Sequence, residues 1–593
     1  MSSRIPLETV KDQIISAIAK AAGIPAEKIN LDFPERDEHG DYSSNNAMVG
    51  FDAKKHKSPK EYAQELVDRL RKDKELGKHI EKIEVAGSGF INFFLSEEAL
   101  LQNMNAIEEK GDKYGSSDMG KGKTVVIDYS APNIAKAFGV GHLRSTIIGQ
   151  ALYNLYKFLG YKTVGDNHLG DWGTQFGMII AVIKKNNLDV EKLSVDELEK
   201  AYVKYNKETE ENPELRDVAK EWFKKLEEGD SEAKYVWQKA KETSLAEFQR
   251  IYDLLGVNID YAYGESFYED KMDPVIKEAR KKGLVKKSEG AEIIEFESLP
   301  PSMLVKSDGA TTYFTRDLAT IKFRIETWKP DIYIYEVGSE QSVYFKQLFE
   351  AVGKLGWIKD EELVHVGHGL FLYGGKKMST RSGGSIKLEE VLTQSIKKAK
   401  SIIEKSESSR GLSEKEKDKV AKAVGVGAIK YYDLLHHPTS NINFDWEKIF
   451  VLEGNSGPYL QYTFARTQSV LAKSSKSQKI LKIKNDKLNS EELSVLKSLT
   501  RFSEVVEASA KSYSPNLLAN YLFDLASRYN TFYARHRILS TNNERTKNEV
   551  LSENKHRIIK GGNDEFRLKL TLTCGQVIKN GLTLLGIQAP ERM

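Results

Sequence analysis

The sequence predicts a multidomain chain: a doubly wound, parallel α/β domain at the centre, an N-terminal α+β unit before it and an all-α helical bundle after it. Three observations predict this. The chain has 593 residues, too many for one ordinary domain. Strand, loop and helix patterns alternate from Thr124 onward, the order that builds parallel sheets. The last ~140 residues carry helical spacing alone, with boundaries good to several residues.

In the first unit, residues 1–117, the stretch VKDQIISAIAKAAGI repeats its apolar positions at helical spacing and EYAQELVDRLRK reads as a second helix. IEKIEVAGSGFINFFLS is a pair of short strands around a Gly-Ser-Gly turn. The glycine-rich loop EKGDKYGSSDMGKGK closes the unit.

The central domain, residues 118–415, opens with TVVIDY, a short β-branched run suited to a buried parallel strand. The loop SAPNIAKAFGVG leads into the helix HLRSTIIGQALYNLYKFLG, which ends at the cap glycine Gly160, and KTVGDNH is the next strand. This is the first half of a Rossmann-type sheet. Charge-rich helical sequence over about 180–250 separates it from a second half: the strand DIYIYEVG, the helix SVYFKQLFEAVGKLG, the strand ELVHVGHGLFLY and the loop GGKKMSTRSGG. Residues 416–593 read as helices, among them GPYLQYTFARTQSVLAK, NLLANYLFDLASRYNTFYARHRIL and LTLTCGQVIKNGLTLLGI, with polar loops between.

Composition narrows the class. Apolar residues at 40% and charged residues at 30% fit a globular protein, and no apolar run has the length to span a bilayer. The single cysteine, Cys574, excludes an internal disulfide and any all-cysteine metal site, and a reducing cytoplasm is the plain expectation. The N-terminus reads as a helix of the fold rather than a secretion or transit segment. A net charge of +3 excludes a uniformly basic coat and leaves room for local basic faces.

Two loops carry the chemistry. Gly139 and Gly141 stand just ahead of His142 and a helix, where small residues let backbone N–H groups and the helix dipole meet a phosphate. Lys376, Lys377 and Ser379 lie on a glycine-flanked loop able to close over a triphosphate as charge develops. Either loop alone has a bland reading, as a packing turn or a solvated basic loop. Tyr313 and Asp317 are four apart in a helical pattern and share one face. A phenol and a carboxylate suit a guanidinium, and Asp128 at the first strand's end supplies a second carboxylate. In the C-terminal part, Tyr529 and Tyr533 stand beside Arg535 and Arg537. That pattern suits splayed single-stranded bases, and it suits one face of a packed helix equally.

The two loops resemble the HIGH and KMSK signatures of class I aminoacyl-tRNA synthetases. DYSAPNIAK at 128–136, GHLRST at 141–146, LGDWGTQ at 169–175, YFTRD at 313–317, EQ and YFKQ within 340–347 and KMSTR at 377–381 resemble, in order, the motifs of arginyl-tRNA synthetases. GFINFFL, GPYLQYTFAR and the ending LGIQAPERM extend the resemblance over the whole chain. It implies Lys136, His142, Lys377 and Ser379 as catalytic groups. Gly139, Gly141, His142, Lys377, Met378 and Ser379 would meet ATP; Asp128, Asn133, Tyr313, Asp317 and Gln341 would meet arginine; and Tyr529, Tyr533 and Met593 would meet the anticodon. ATP is implied as a substrate with Mg2+ on its phosphates, without a prosthetic group or a protein metal site. L-arginine and its tRNA are the implied partners, with tRNA needed for activation, and a monomer or a place in a multi-synthetase complex is the implied assembly. The first unit resembles the family's additional tRNA-contacting domain.

Two positions depart from the family. Gly139 replaces the first histidine of HIGH, and Thr380 replaces the last lysine of KMSK; the resemblance gives Lys136 the compensating role for the second. Losing one preorganised donor costs on the order of 100-fold in rate, so a catalytically weakened tRNA- or nucleotide-binding paralogue is one alternative, and a class I enzyme for another amino acid is a second.

Overall fold

The computed structural model describes residues 8–34, 36–373, 376–377, 387–406, 409–451, 453–474, 488–539 and 564–593. The site is positioned by four parallel strands, β1 (Thr124–Asp128), β2 (Lys162–Asp166), β3 (Ile332–Gly338) and β4 (Glu362–His368). They lie side by side in the order β4-β3-β1-β2. The β1 core, Val125 to Ile127, is sealed from solvent, as expected of strands covered by helices on both faces.

The helices that frame these strands are α1 (Leu143–Phe158), α2 (Ser231–Leu255), α3 (Tyr313–Trp328) and α4 (Ser342–Lys354). Helix α1 starts through a short 3-10 turn, Val140–His142, and Gly160 beyond its end has φ +84°, as a cap glycine requires. Helix α2 is the last of three helices of the insertion, after Val195–Glu211 and Glu214–Glu228. A small antiparallel sheet of Val285–Ser288, Ala291–Ile294 and Ser302–Val305 is not expected from the sequence, because its four-residue strands carry little alternation.

One predicted strand is two. ELVHVGHGLFLY breaks at Gly369, and Phe371–Tyr373 joins a separate sheet with Ile442–Asn443 and Lys376–Lys377. The cause is close backbone approach: the Gly369 N–H donates to the Pro438 carbonyl at 2.9 Å, and a Cβ there would stand 2.5 Å from the Ser440 carbonyl oxygen.

The N-terminal unit packs the helices Glu8–Ala22 and Pro59–Leu70 on the sheet of Tyr42–Ser44, Phe90–Leu95 and Ile80–Ala86. Ser58 caps the second helix by accepting from the Glu61 N–H. The C-terminal part is helical and includes α5 (Glu414–Leu434), α6 (Gly457–Ala472), α7 (Asn516–Arg535) and α8 (Asp564–Leu584). Cys574 is sealed in the core of α8, where burial pushes its thiol far up. No helix among the described residues is long and apolar enough to cross a membrane.

Candidate active site

The carboxyl ends of the strands carry the charge. Asp128 closes β1 in register with Asp166 at the end of β2. Between them lies Arg324 of α3, 1% exposed. Its Nη2 donates to Asp128 Oδ2 at 2.7 Å and to Asp166 Oδ2 at 2.8 Å, and its Nε to Asp166 Oδ2 at 2.9 Å. A buried cation of this kind is tolerable only when paired and hydrogen-bonded. Asp128, expected as a second carboxylate for the guanidinium, has one oxygen held by Arg324, a partner that lies seven residues beyond Asp317 and that no motif flags.

Asp317 is the more open acid. Its side chain is 27% exposed against 10% for Asp128. It accepts a hydrogen bond from the Tyr344 hydroxyl, and His168 Nε2 stands 3.7 Å away. Burial of the carboxyl raises its pKa above the ordinary carboxylate range, the nearby Asp128 charge adds to that, and His168 and Tyr344 act against it. Tyr313, one turn earlier on α3, is 65% exposed, with its ring 5.3 Å from that of Tyr344. Gln341 immediately precedes α4 and is exposed. His168, at the end of the strand segment KTVGDNH, and Tyr344, in the YFKQ motif, are not among the expected site residues; only the fold brings them to Asp317.

The loop after β1 is strained and braced. Ser130, Ala131 and Ala135 have φ of +79°, +44° and +58°, a region that costs non-glycine residues on the order of 1–3 kcal/mol each and persists where the surroundings over-determine it. Here the Ser130 N–H donates to Ser145 Oγ at 2.9 Å, the Ala131 N–H to Asn167 Oδ1 at 2.9 Å, and the Ala135 N–H to Ser244 Oγ at 2.9 Å. Ser130 Oγ also meets Tyr252 of α2 at 2.8 Å. Asn133 lies in this loop, bridged to Gly170, where a Cβ would stand 2.2 Å from Asn133 Oδ1.

At the signature turn, a Cβ on Gly141 would meet nothing within 4 Å among the described residues, a clearance compatible with close approach of a ligand to the helix N-terminus. Gly139 has φ −84° and ψ 162°, a conformation open to any residue, and bridges to Lys387. The His142 ring packs edge-on to Phe138 at 5.3 Å. Burial, and then the Lys136 charge, push its pKa down to about 4, so it is a neutral imidazole near pH 7. Lys136 Nζ stands over the Tyr202 ring at 5.6 Å. Of the second loop, Lys377 is placed by its backbone pairing with Leu372; Met378, Ser379 and Thr380 lie outside the described residues.

The anticodon candidates separate. Tyr529 is fully buried and Met593 is 5% exposed, so both belong to the core, and Tyr529 cannot offer a ring face to a base without repacking. Tyr533 is 39% exposed and Tyr462 37%. Arg466 stands over both rings, at 4.7 Å and 4.8 Å. This platform spans α6 and α7, which explains why the sequence spacing along α7 alone suggested Tyr529. Among the described residues no cluster of three His, Cys, Asp or Glu side chains is placed to hold a metal.

Parallel strands with carboxylates at their carboxyl ends and a glycine-rich turn opening α1, followed by a helical domain, place the chain among class I aminoacyl-tRNA synthetases. Residues 103–446 match the family described as tRNA synthetases class I (R), catalytic domain. Residues 460–593 match the DALR anticodon binding domain, and residues 8–95 the arginyl tRNA synthetase N terminal domain. An arginine–tRNA ligase of Clostridium botulinum is 38% identical, the match covering 98% of this chain and 100% of the relative. One of Streptococcus suis is 41% identical, with 98% of each covered. The solved arginyl-tRNA synthetase of Plasmodium falciparum superposes with a TM-score of 0.82 at 25% identity, covering 99% of this chain and 100% of that one. The chain belongs to the arginyl-tRNA synthetase family.

Proposed function

We propose that the chain is an arginine–tRNA ligase that activates L-arginine with ATP and passes it to the 3′-terminal adenosine of its tRNA, with tRNA needed for the first step. The observation that carries the reading is Asp317, a partly exposed acid bonded to Tyr344 and beside His168, with the Tyr313 ring against that of Tyr344. Its oxygens suit parallel N–H bonds from a guanidinium, and the phenol faces suit stacking on that planar group. Asp128, Asn133 and Gln341 would meet the rest of the amino acid.

The arginine carboxylate attacks the α-phosphorus in line, giving arginyl-adenylate and pyrophosphate, and the terminal ribose hydroxyl then attacks the mixed anhydride. Catalysis rests on positioning and charge stabilisation. The N–H groups at the start of α1, the neutral His142 and the cation of Lys136 would receive the phosphates, with Lys377, Met378 and Ser379 closing from the second loop. Magnesium would arrive on the phosphates, needing no protein cage. Tyr533, with Arg466 and Tyr462 beside it, supports stacking of an anticodon base. A monomer in the cytoplasm fits this reading and the single cysteine.

The alternative of a catalytically weakened relative is not favoured, given the full-length match to arginine–tRNA ligases. Arginylation of a total tRNA pool by the pure protein, with ATP–pyrophosphate exchange measured with and without tRNA, tests the proposal. Failure of both would sink it.

A further inference from the structure

The end of α8, the last helix of the anticodon-binding region, is held by two side chains of other elements. It closes in a Schellman turn: Gly586 has φ +68°, the Gly586 N–H donates to the Thr583 carbonyl at 2.9 Å, and the Ile587 N–H to that of Leu582 at 2.8 Å. Terminal carbonyls need outside partners. Asn154, on the signature helix α1, supplies one by donating Nδ2 to the Leu584 carbonyl at 3.1 Å. Lys430 of α5, 1% exposed, donates Nζ to the Gly586 carbonyl at 2.5 Å and to the Leu255 carbonyl at 2.8 Å. Leu255 is the last residue of α2. One buried amine therefore ties the ends of two helices from different parts of the chain.

Both attachments lead to the strained loop. From Asn154, Oδ1 accepts from Gln150 Nε2 at 2.9 Å, and Gln150 Oε1 accepts from the Asn258 N–H at 2.8 Å. The Asn258 carbonyl accepts from the Tyr129 hydroxyl at 2.7 Å. Tyr129 is the residue between Asp128 and Ser130. Its side chain is wedged against α1 so closely that a Cβ on Gly149 would stand 2.3 Å from its Cβ and 2.4 Å from its ring. From Lys430 the route is α2 itself, whose Ser244 and Tyr252 brace Ala135 and Ser130.

We propose that Asn154 and Lys430 are positioning residues for adenylate formation: they seat the Ser130–Lys136 loop by fixing α1 and α2 to the end of α8. The inference rests on the arginine–tRNA ligase reading. Burial lowers the Lys430 ammonium to about 7, and either protonation state keeps the two N–H donors that the carbonyls need. Their effect passes through the loop that carries Asn133 and Lys136. Displacing a reacting group by about 1 Å costs on the order of 100-fold in rate, so even partial loosening is measurable.

The test is Asn154→Asp, which keeps the shape and the acceptor for Gln150 while removing the donor to Leu584, together with Lys430→Met. ATP–pyrophosphate exchange at saturating tRNA and arginine is measured beside thermal melting. The expected result is a kcat at least ten-fold lower in either variant, an ATP KM within two-fold of wild type, and a folded protein by melting. Asn154→Asp decides the matter if Lys430→Met does not fold. A wild-type kcat in Asn154→Asp overturns the inference and leaves the ligase reading intact. Absence of exchange and of arginylation in the wild-type protein overturns the reading itself.

Discussion

Arg144 and Asp433 form an ion pair sealed from solvent, Nε to Oδ1 at 3.1 Å, with side chains 1% and 0% exposed. The same guanidinium donates Nη1 to the Ser440 carbonyl at 2.6 Å. The pair fixes the second residue of α1 to α5 and so sets the signature turn against the helical region. Leaving a buried charge unpaired is costly, so Asp433→Ala should destabilise the protein by about 3–5 kcal/mol. Chemical denaturation would read this as a lower midpoint at unchanged slope, and a midpoint equal to wild type would contradict the pairing.

Asp317→Ala should raise the arginine KM about 100-fold, the scale for truncating one partner of a desolvated charge pair, and leave the ATP KM within two-fold. A pH series tests the same residue. Its folded-state pKa is raised, and only the carboxylate form receives a guanidinium. Arginine KM should therefore rise as pH falls through a value above the ordinary carboxylate range, and Asp317→Asn should abolish that limb. An arginine KM in Asp317→Ala equal to wild type removes the pocket.

His142 should not titrate between pH 8 and pH 5.5. Its folded pKa of about 4 lies below the unfolded value of ~6.5. The neutral ring is thus the folded form over that window, and stability tied to it is lost only as pH falls from ~6.5 toward 4. Imidazole proton shifts followed by NMR would check this, with His142→Gln identifying the signal.

Gly139→His should raise the rate of adenylate formation, by up to ~100-fold where a preorganised donor is regained. The backbone at 139 permits the change, since its φ is −84°. Single-turnover adenylate formation is the measurement; an unchanged rate would mean that other donors already satisfy the phosphates.

Replacing Tyr533 or Arg466 with alanine should weaken tRNA binding by about 1–3 kcal/mol, the scale of one stacking contact, and spare melting temperature. Tyr529→Ala should do the reverse, because its ring is wholly buried and truncating a buried aromatic costs about 3–5 kcal/mol. Filter binding and melting, run side by side, separate the two.

Periodicity was enough to find the parallel strands, the helices that frame them and the helical C-terminal region, because each segment's burial pattern is set by its own neighbours in sequence. The same logic put Tyr313 and Asp317 on one helical face. What stayed hidden depends on distant partners. Arg324 claims an oxygen of Asp128 across 196 residues, and nothing in either local pattern signals it. Tyr529 and Tyr533 share a four-residue spacing, yet only the packing of α7 decides which is buried. Gly369 reads as one residue of a strand until a second backbone, at Ser440, crosses it.

Cys574, the single cysteine of the chain, lies at 0% exposure inside α8. The native protein therefore presents no accessible thiol to an alkylating reagent. Cysteines introduced at the exposed Ala534 of α7 and the exposed Lys157 of α1 would take up maleimide dyes without any background mutation. Paired dyes on α7 and on the signature helix would then let energy transfer follow, in single molecules, whether tRNA arrival changes the distance between them.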